Sequence, residues 1–153
     1  MTELPFQAHI RPFGETCFGC GQTNAHGLRI RSHWEGETAV CHWTPEPWHA
    51  AAPGFLNGGI IATLIDCHCA STAIAAAVRA EGRTLGEGPS PVYVTASLQV
   101  DHRRPTPMDT PLELRATVTA RTERRITLAC RLLAGGVETA AGTVVMARAG
   151  DGG

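Results

Sequence analysis

Residues 57–82 read NGGIIATLIDCHCASTAIAAAVRAEG, and how this stretch folds decides the architecture. Asn57 is a residue type that caps helix N-termini, because its side-chain oxygen can accept from the first unpaired backbone N–H groups. Alanine, the strongest helix former, dominates the run after it. The pattern predicts a helix from about Gly58 to Ala80, ending near Gly82. Its apolar side chains point in nearly every direction, as in a helix surrounded by protein. The run Gly58 to Val78 also matches the ~20 residues that span a bilayer, but Asp66 and His68 fall near its middle. A charged residue at the centre of a membrane helix costs about 2.5–3.5 kcal/mol. A buried helix in a soluble protein is therefore expected, with a membrane span as the remote alternative.

On either side of this helix the sequence reads as strand. Leu28 to Arg31 alternates apolar and polar residues, Thr38 to Trp43 does so more loosely, and Gly36 marks a turn between them. Thr44-Pro45-Glu46-Pro47 blocks regular structure, since proline has no N–H to donate, and Pro53-Gly54 signals another turn. After a Gly/Pro-rich connection, Gly82 to Pro91, come four alternating segments: Val92–Val100, Leu112–Thr119, Ile126–Leu133 and Thr139–Ala147. In the first, Val94, Ala96, Leu98 and Val100 are expected on one face and Tyr93, Thr95, Ser97 and Gln99 on the other. The expectation is a single-domain α+β protein: two strands, one long helix, then four strands in up-and-down succession. An antiparallel sheet of about six strands curled around the helix is the simplest way to cover it, and strands closed into a barrel are the alternative that periodicity leaves open. Residues 1–27 are expected to form an irregular lead-in, 28–148 the domain, and 149–153 a flexible tail.

Composition narrows the function. With 153 residues, 13 basic and 14 acidic side chains and a net charge of −1, the chain has no polybasic tract. Nucleic acid and anionic membrane surfaces are therefore not expected partners. Met1 to Ile10 lacks a basic start followed by an apolar core, so no signal peptide is expected. Six cysteines without an export signal read as reduced thiols of a cytoplasmic protein.

The helix start carries the chemistry. Gly58 and Gly59 allow close approach to unpaired N–H groups at the positive end of the helix dipole, which suit an oxygen that gains negative charge. A thioester carbonyl under attack develops such an oxygen. Asp66 lies seven residues beyond Gly59 on nearly the same face, roughly 10 Å further along. One reacting carbon does not fit within about 3 Å of both. If both act on one substrate, they come from different subunits of an oligomer.

The stretch His49…Pro53-Gly54…Gly58-Gly59…Asp66 resembles the signature of the PaaI-like and THEM-type acyl-CoA thioesterases of the hotdog superfamily. So do Thr95 to Pro105, ending Asp101-His102-Arg103-Arg104-Pro105, and the lead-in Cys17-Phe18-Gly19-Cys20-Gly21 with Asn24, Gly27 and Leu28. The resemblance covers residues 17 to 148. It implies a hotdog fold, a homodimer or homotetramer, and hydrolysis of an acyl-CoA or acyl-carrier thioester with no cofactor beyond the coenzyme A of the substrate. It makes Asp66 the base or nucleophile, Gly59 the oxyanion donor and Thr95 the group positioning water or carboxylate. His49, Gly58, Arg103, Arg104, Arg124 and Arg125 become candidates for substrate binding. Asn57 stands where the family usually has histidine; asparagine can bond a thioester carbonyl or cap the helix but carries no proton near neutral pH.

That departure keeps a non-catalytic hotdog module, binding an acyl thioester or aromatic ligand, as the alternative. A dehydratase of the same fold is a weaker third, because no matching His and acid arrangement is found on the helix. Cys17 and Cys20 form a C-x-x-C, with His26, Cys41, His42, Cys67, His68 and Cys69 available as further ligands, but the chain has no second paired motif. No metal site is expected on that ground. Cys67 and Cys69 read as small core residues.

Overall fold

A computed structural model describes residues 3–10 and 13–151, with side chains described up to residue 149. The helix forms as the sequence predicts: α1 spans Gly58–Ala80. Fourteen of its residues are buried, including Leu64, Ile65, His68, Cys69 and Ile74. α1 is long and apolar enough to cross a membrane, but here most of that apolar surface is covered by protein. Fully burying one Leu or Ile side chain contributes about 1.5–3 kcal/mol, so an all-round apolar helix drives the sheet to wrap it.

The sheet comprises β1 (Ser32–Glu35), β2 (Thr38–Trp43), β5 (Pro91–His102), β6 (Leu112–Arg121), β7 (Arg125–Ala134) and β8 (Val137–Asp151). A separate two-stranded ribbon, β3 (Ala50–Ala52) with β4 (Phe55–Leu56), brackets the Pro53-Gly54 turn. Gly54 has φ +88°, the left-handed conformation that a turn with proline before glycine demands. All six main strands are antiparallel, in the order β1-β2-β6-β7-β8-β5. The fold is the hotdog: one long helix wrapped by a six-stranded antiparallel sheet.

Three details differ from the sequence reading. Leu28–Arg31 is not a strand, because Arg29 adopts φ +57° and breaks the extension. Leu28 and Ile30 instead donate their N–H groups to Phe18 O and Gly19 O of the lead-in, and β1 begins at Ser32. The last four strands do not pair in simple succession either. β5 pairs with β8 at the sheet edge, while β6 lies beside β2. A segment with Pro105 and Pro107 separates β5 from β6, so no tight hairpin joins them.

The third difference lies within β5. Thr95 pairs with Met146 and Ser97 with Val145, so Ala96 is an extra, bulged residue. One inserted residue reverses which side chains face the helix. Before the bulge Tyr93 and Thr95 face it; after the bulge Leu98, Val100 and His102 do, opposite Val144, Gly142 and Ala140. Val94 and Leu98 therefore lie on opposite faces. β8 runs on to Asp151, past the end expected at Ala147, while Gly152 and Gly153 lie outside the described residues.

His68 fastens α1 to the sheet. Its Nε2–H donates to Ala39 O (3.0 Å), which leaves Nδ1 to accept from the Ser32 hydroxyl (2.7 Å). Gln7 completes the network, donating to the hydroxyls of Ser32 and Ser71 and accepting from Ser32 N–H. A proton on Nδ1 would force the Ser32 hydroxyl to turn from donor to acceptor, and burial holds the imidazole pKa down at about 4. The unfolded chain, with an ordinary histidine, binds that proton more readily, so stability falls as the pH drops from about 6.5 towards 4. Across that window the parent should lose up to about 3 kcal/mol from this group. Denaturant midpoints between pH 7 and pH 4 should fall more steeply for the parent than for His68→Gln.

Candidate active site

Asp66 is the only acidic residue in α1 and is half-buried on the flank facing β5. The Thr95 hydroxyl donates to its Oδ1 at 2.7 Å. The bulge at Ala96 comes immediately after Thr95, so the hydroxyl points at the helix while the strand still turns Leu98 and Val100 inward. Burial raises the Asp66 pKa above its ordinary value, the Thr95 bond opposes the rise, and the nearby Cys17 adds to it. A carboxylate so placed takes up a proton more readily than an exposed one.

Asp66 and Thr95 open into a cavity of about 360 Å³. Its walls are mostly apolar, with Ile10, Phe13, Ile74, Tyr93 and Met146 among them. Three thiols share this cavity. Cys17, Cys20 and Cys67 have sulfurs within 4.8 Å of one another, with Cys17 and Cys67 3.7 Å apart. Cys17 is the acidic member, because the thiols of Cys20 and Cys67 both bond to its sulfur; the same contacts, with burial, hold Cys20 and Cys67 protonated. Sequence spacing could not reveal this cluster: Cys67 reads as a core residue until the lead-in folds back onto α1.

The helix start forms a second group. Asn57 caps α1, its Oδ1 accepting from Gly59 N–H (2.8 Å) and Ile60 N–H (3.1 Å). The expected oxyanion donor thus already carries a bond, whereas Gly58 N–H has no acceptor among the described residues. His102, given no role from sequence, lies against this start: its Cε1 is 3.4 Å from where a Cβ on Gly58 would sit. The bulge places it there, by turning even-numbered residues of β5 inward.

His49 belongs elsewhere. Its Nδ1 accepts from Glu46 N–H (2.9 Å), its carbonyl accepts from Asn57 N–H (2.9 Å), and its ring packs near Trp43 and Trp48. It orders the loop ahead of α1 and faces a different groove from the Asp66 cavity. The arginine pairs are far apart: Arg103 and Arg104 come just after β5, while Arg125 sits opposite Ala147, which pairs with Val94 near the other end of β5. Some eight strand residues separate them, about 25 Å. Arg103 is held by Glu138 at 3.2 Å, and Arg104, Arg124 and Arg125 are exposed. One subunit does not bring all four to one ligand.

This geometry matches a known class. The Thioesterase superfamily model matches residues 53–150, which span α1, Asp66, Thr95 and His102. A thioesterase superfamily protein from Shewanella loihica PV-4 is 36% identical, with a TM-score of 0.65 over 82% of this chain and 96% of that one. The PaaI protein from the phenylacetic acid degradation operon of E. coli is 16% identical, with a TM-score of 0.66 over 82% and 83%. The yhdA protein of Lactococcus lactis, described as a putative thioesterase, is 17% identical, with a TM-score of 0.65 over 79% and 90%. At those last two identities the likeness is one of fold. No curated protein matches the chain. The chain belongs to the thioesterase superfamily, on a hotdog fold.

The Asn57 cap has a measurable consequence. Asn57→Ala leaves Gly59 and Ile60 N–H without their acceptor and should cost about 1 kcal/mol of stability. Thermal unfolding should show a lower midpoint for Asn57→Ala, with Asn57→Asp close to the parent.

Proposed function

We propose that this protein hydrolyses an acyl thioester, of coenzyme A or of an acyl carrier, to a carboxylic acid and a free thiol. The observation that carries the reading is the Asp66–Thr95 pair, set on the central helix at the mouth of an apolar cavity. Thr95 holds one carboxylate oxygen, which leaves the other to take a proton from water. The water oxygen bonds to the thioester carbonyl carbon, negative charge collects on the carbonyl oxygen, the C–S bond breaks, and the thiolate leaves with a proton. Gly59 N–H receives the charged oxygen once the Asn57 side chain turns away, with the helix dipole adding to its effect.

Asp66 and Gly59 meet across two subunits. β5 is an edge strand with Val94 and Leu98 exposed. A second copy pairing antiparallel along this edge, centred near Leu98, would set Thr95 of one chain opposite His102 of the other. Thr95 marks Asp66 and His102 marks Gly58. That pairing extends the sheet, covers an edge otherwise open to aggregation, and composes two sites from two chains. Exposed Arg104 at the rim suits the phosphates of coenzyme A. Six free cysteines fit a reducing compartment, and we place the protein in the cytoplasm.

One observation favours a second reading, a module that binds an acyl thioester without cleaving it: Asn57 occupies the Gly59 N–H and cannot carry a proton. Thiol release from short, medium, long and aryl acyl-CoAs separates the two. The parent should turn over at least one acyl class, and Asp66→Ala should lose about 10²-fold or more while staying folded and oligomeric. Asn57→His should change the rate without abolishing it. Equal turnover by parent and Asp66→Ala would overturn the site; no turnover with any substrate would leave the binding module.

A further inference from the structure

The Cys17–Cys20–Cys67 cluster plays no part in the chemistry above. It joins the C-x-x-C of the lead-in to the residue immediately after Asp66 on α1. We propose that these three sulfurs bind one zinc ion, with the fourth position taken by a water from the cavity they line.

Geometry carries the proposal. Zinc bound to thiolates at about 2.3 Å in a tetrahedron sets neighbouring sulfurs about 3.8 Å apart. Cys17 and Cys67 sulfurs lie 3.7 Å apart, and all three fall within 4.8 Å of one another. A set of three mutually close sulfurs suits a metal better than a disulfide, which would use two and strand the third. The loop is also built to present its sulfur. Gly21 N–H bonds Cys17 O at 2.8 Å, which closes the turn that carries Cys17 and Cys20. Gly19 is required for the approach, because a methyl group there would overlap the Cys67 sulfur. The loop is held in place by Leu28 N–H on Phe18 O and Ile30 N–H on Gly19 O.

Cys17 and Cys20 are partly exposed, so an ion can enter from the cavity. Binding replaces thiol protons, and up to three leave as zinc enters. The loaded ion would tie the lead-in to α1 one residue from Asp66 and fix one wall of the cavity. This inference stands independently of the thioesterase reading, since its readouts are spectroscopic and chemical.

The test is titration of the reduced, full-length protein with Co²⁺. One equivalent should give sulfur-to-metal charge-transfer absorption and the visible bands of a tetrahedral site, both removed by added Zn²⁺. Cys20→Ser and Cys67→Ser should lose the charge-transfer band, and Cys41→Ser, a buried cysteine outside the cluster, should keep it. Should a cluster variant fail to fold, alkylation of the parent decides: Zn²⁺ should protect Cys17 and Cys20. Absence of the band in the parent, its survival in Cys67→Ser, or unprotected Cys17 and Cys20 at saturating Zn²⁺ would each overturn the proposal.

Discussion

An α-helix with apolar side chains on every side must be enclosed, and the enclosure of α1 organises the rest of this molecule. Gly142 shows how close the enclosure is: a Cβ there would come within 2.9 Å of the Ile65 side chain. Asp66 and His68, the two ionisable groups near the middle of the helix besides its cysteines, are treated in opposite ways. His68 is fully buried and satisfied by Ser32 and Ala39 on the two strands that cover it. Asp66 faces the margin of the wrap, where β5 leaves the sheet with an open edge and a cavity behind it. Of these two, His68 closes the structure and Asp66 is left where a ligand can reach it.

The bulge at Ala96 gives that margin the geometry of the candidate site. Without it, a strand with Thr95 facing Asp66 would point Leu98 and Val100 outward and leave His102 away from the helix start. With it, one strand presents Thr95 to the carboxylate and His102 to Gly58. β5 therefore links the two halves of the proposed chemistry, and its free edge is where a second chain can bring them together. In the proposed chemistry the Asn57 cap is also a control, because the oxygen that stabilises the helix start occupies the N–H proposed for the oxyanion.

Much of this was legible in the sequence, for reasons tied to particular residues. The alanine-rich run with Asn57 before it and Gly82 after it defined α1, because capping and propensity are local properties. β2, β6, β7 and β8 could be read from period-two alternation, since one face of each packs on the helix. Three features were not legible. Arg29 adopts a left-handed conformation that no local pattern announces, so the strand expected at Leu28–Arg31 begins four residues later. The bulge inverts the face of half of β5, and alternation alone does not show an inserted residue. The pairing of β5 with β8 is a long-range choice, made by the wrap rather than by either strand. Site legibility divides the same way: Asp66, Thr95 and Gly59 stand in recognisable spacing, whereas His102 and the partnership of Cys67 with Cys17 and Cys20 depend on tertiary closure.

The central claim is that Asp66 of one chain and the helix start of another form a single site, and subunit complementation tests it most directly. Asp66→Ala and Gly59→Pro, the latter lacking the donor N–H, should each be inactive as homo-oligomers. Co-expressed, they should recover roughly a quarter of the parent's thioester turnover, because half of random dimers are mixed and each mixed dimer carries one intact site. No recovery in demonstrably mixed, folded oligomers would contradict the account and place the whole reaction within one chain.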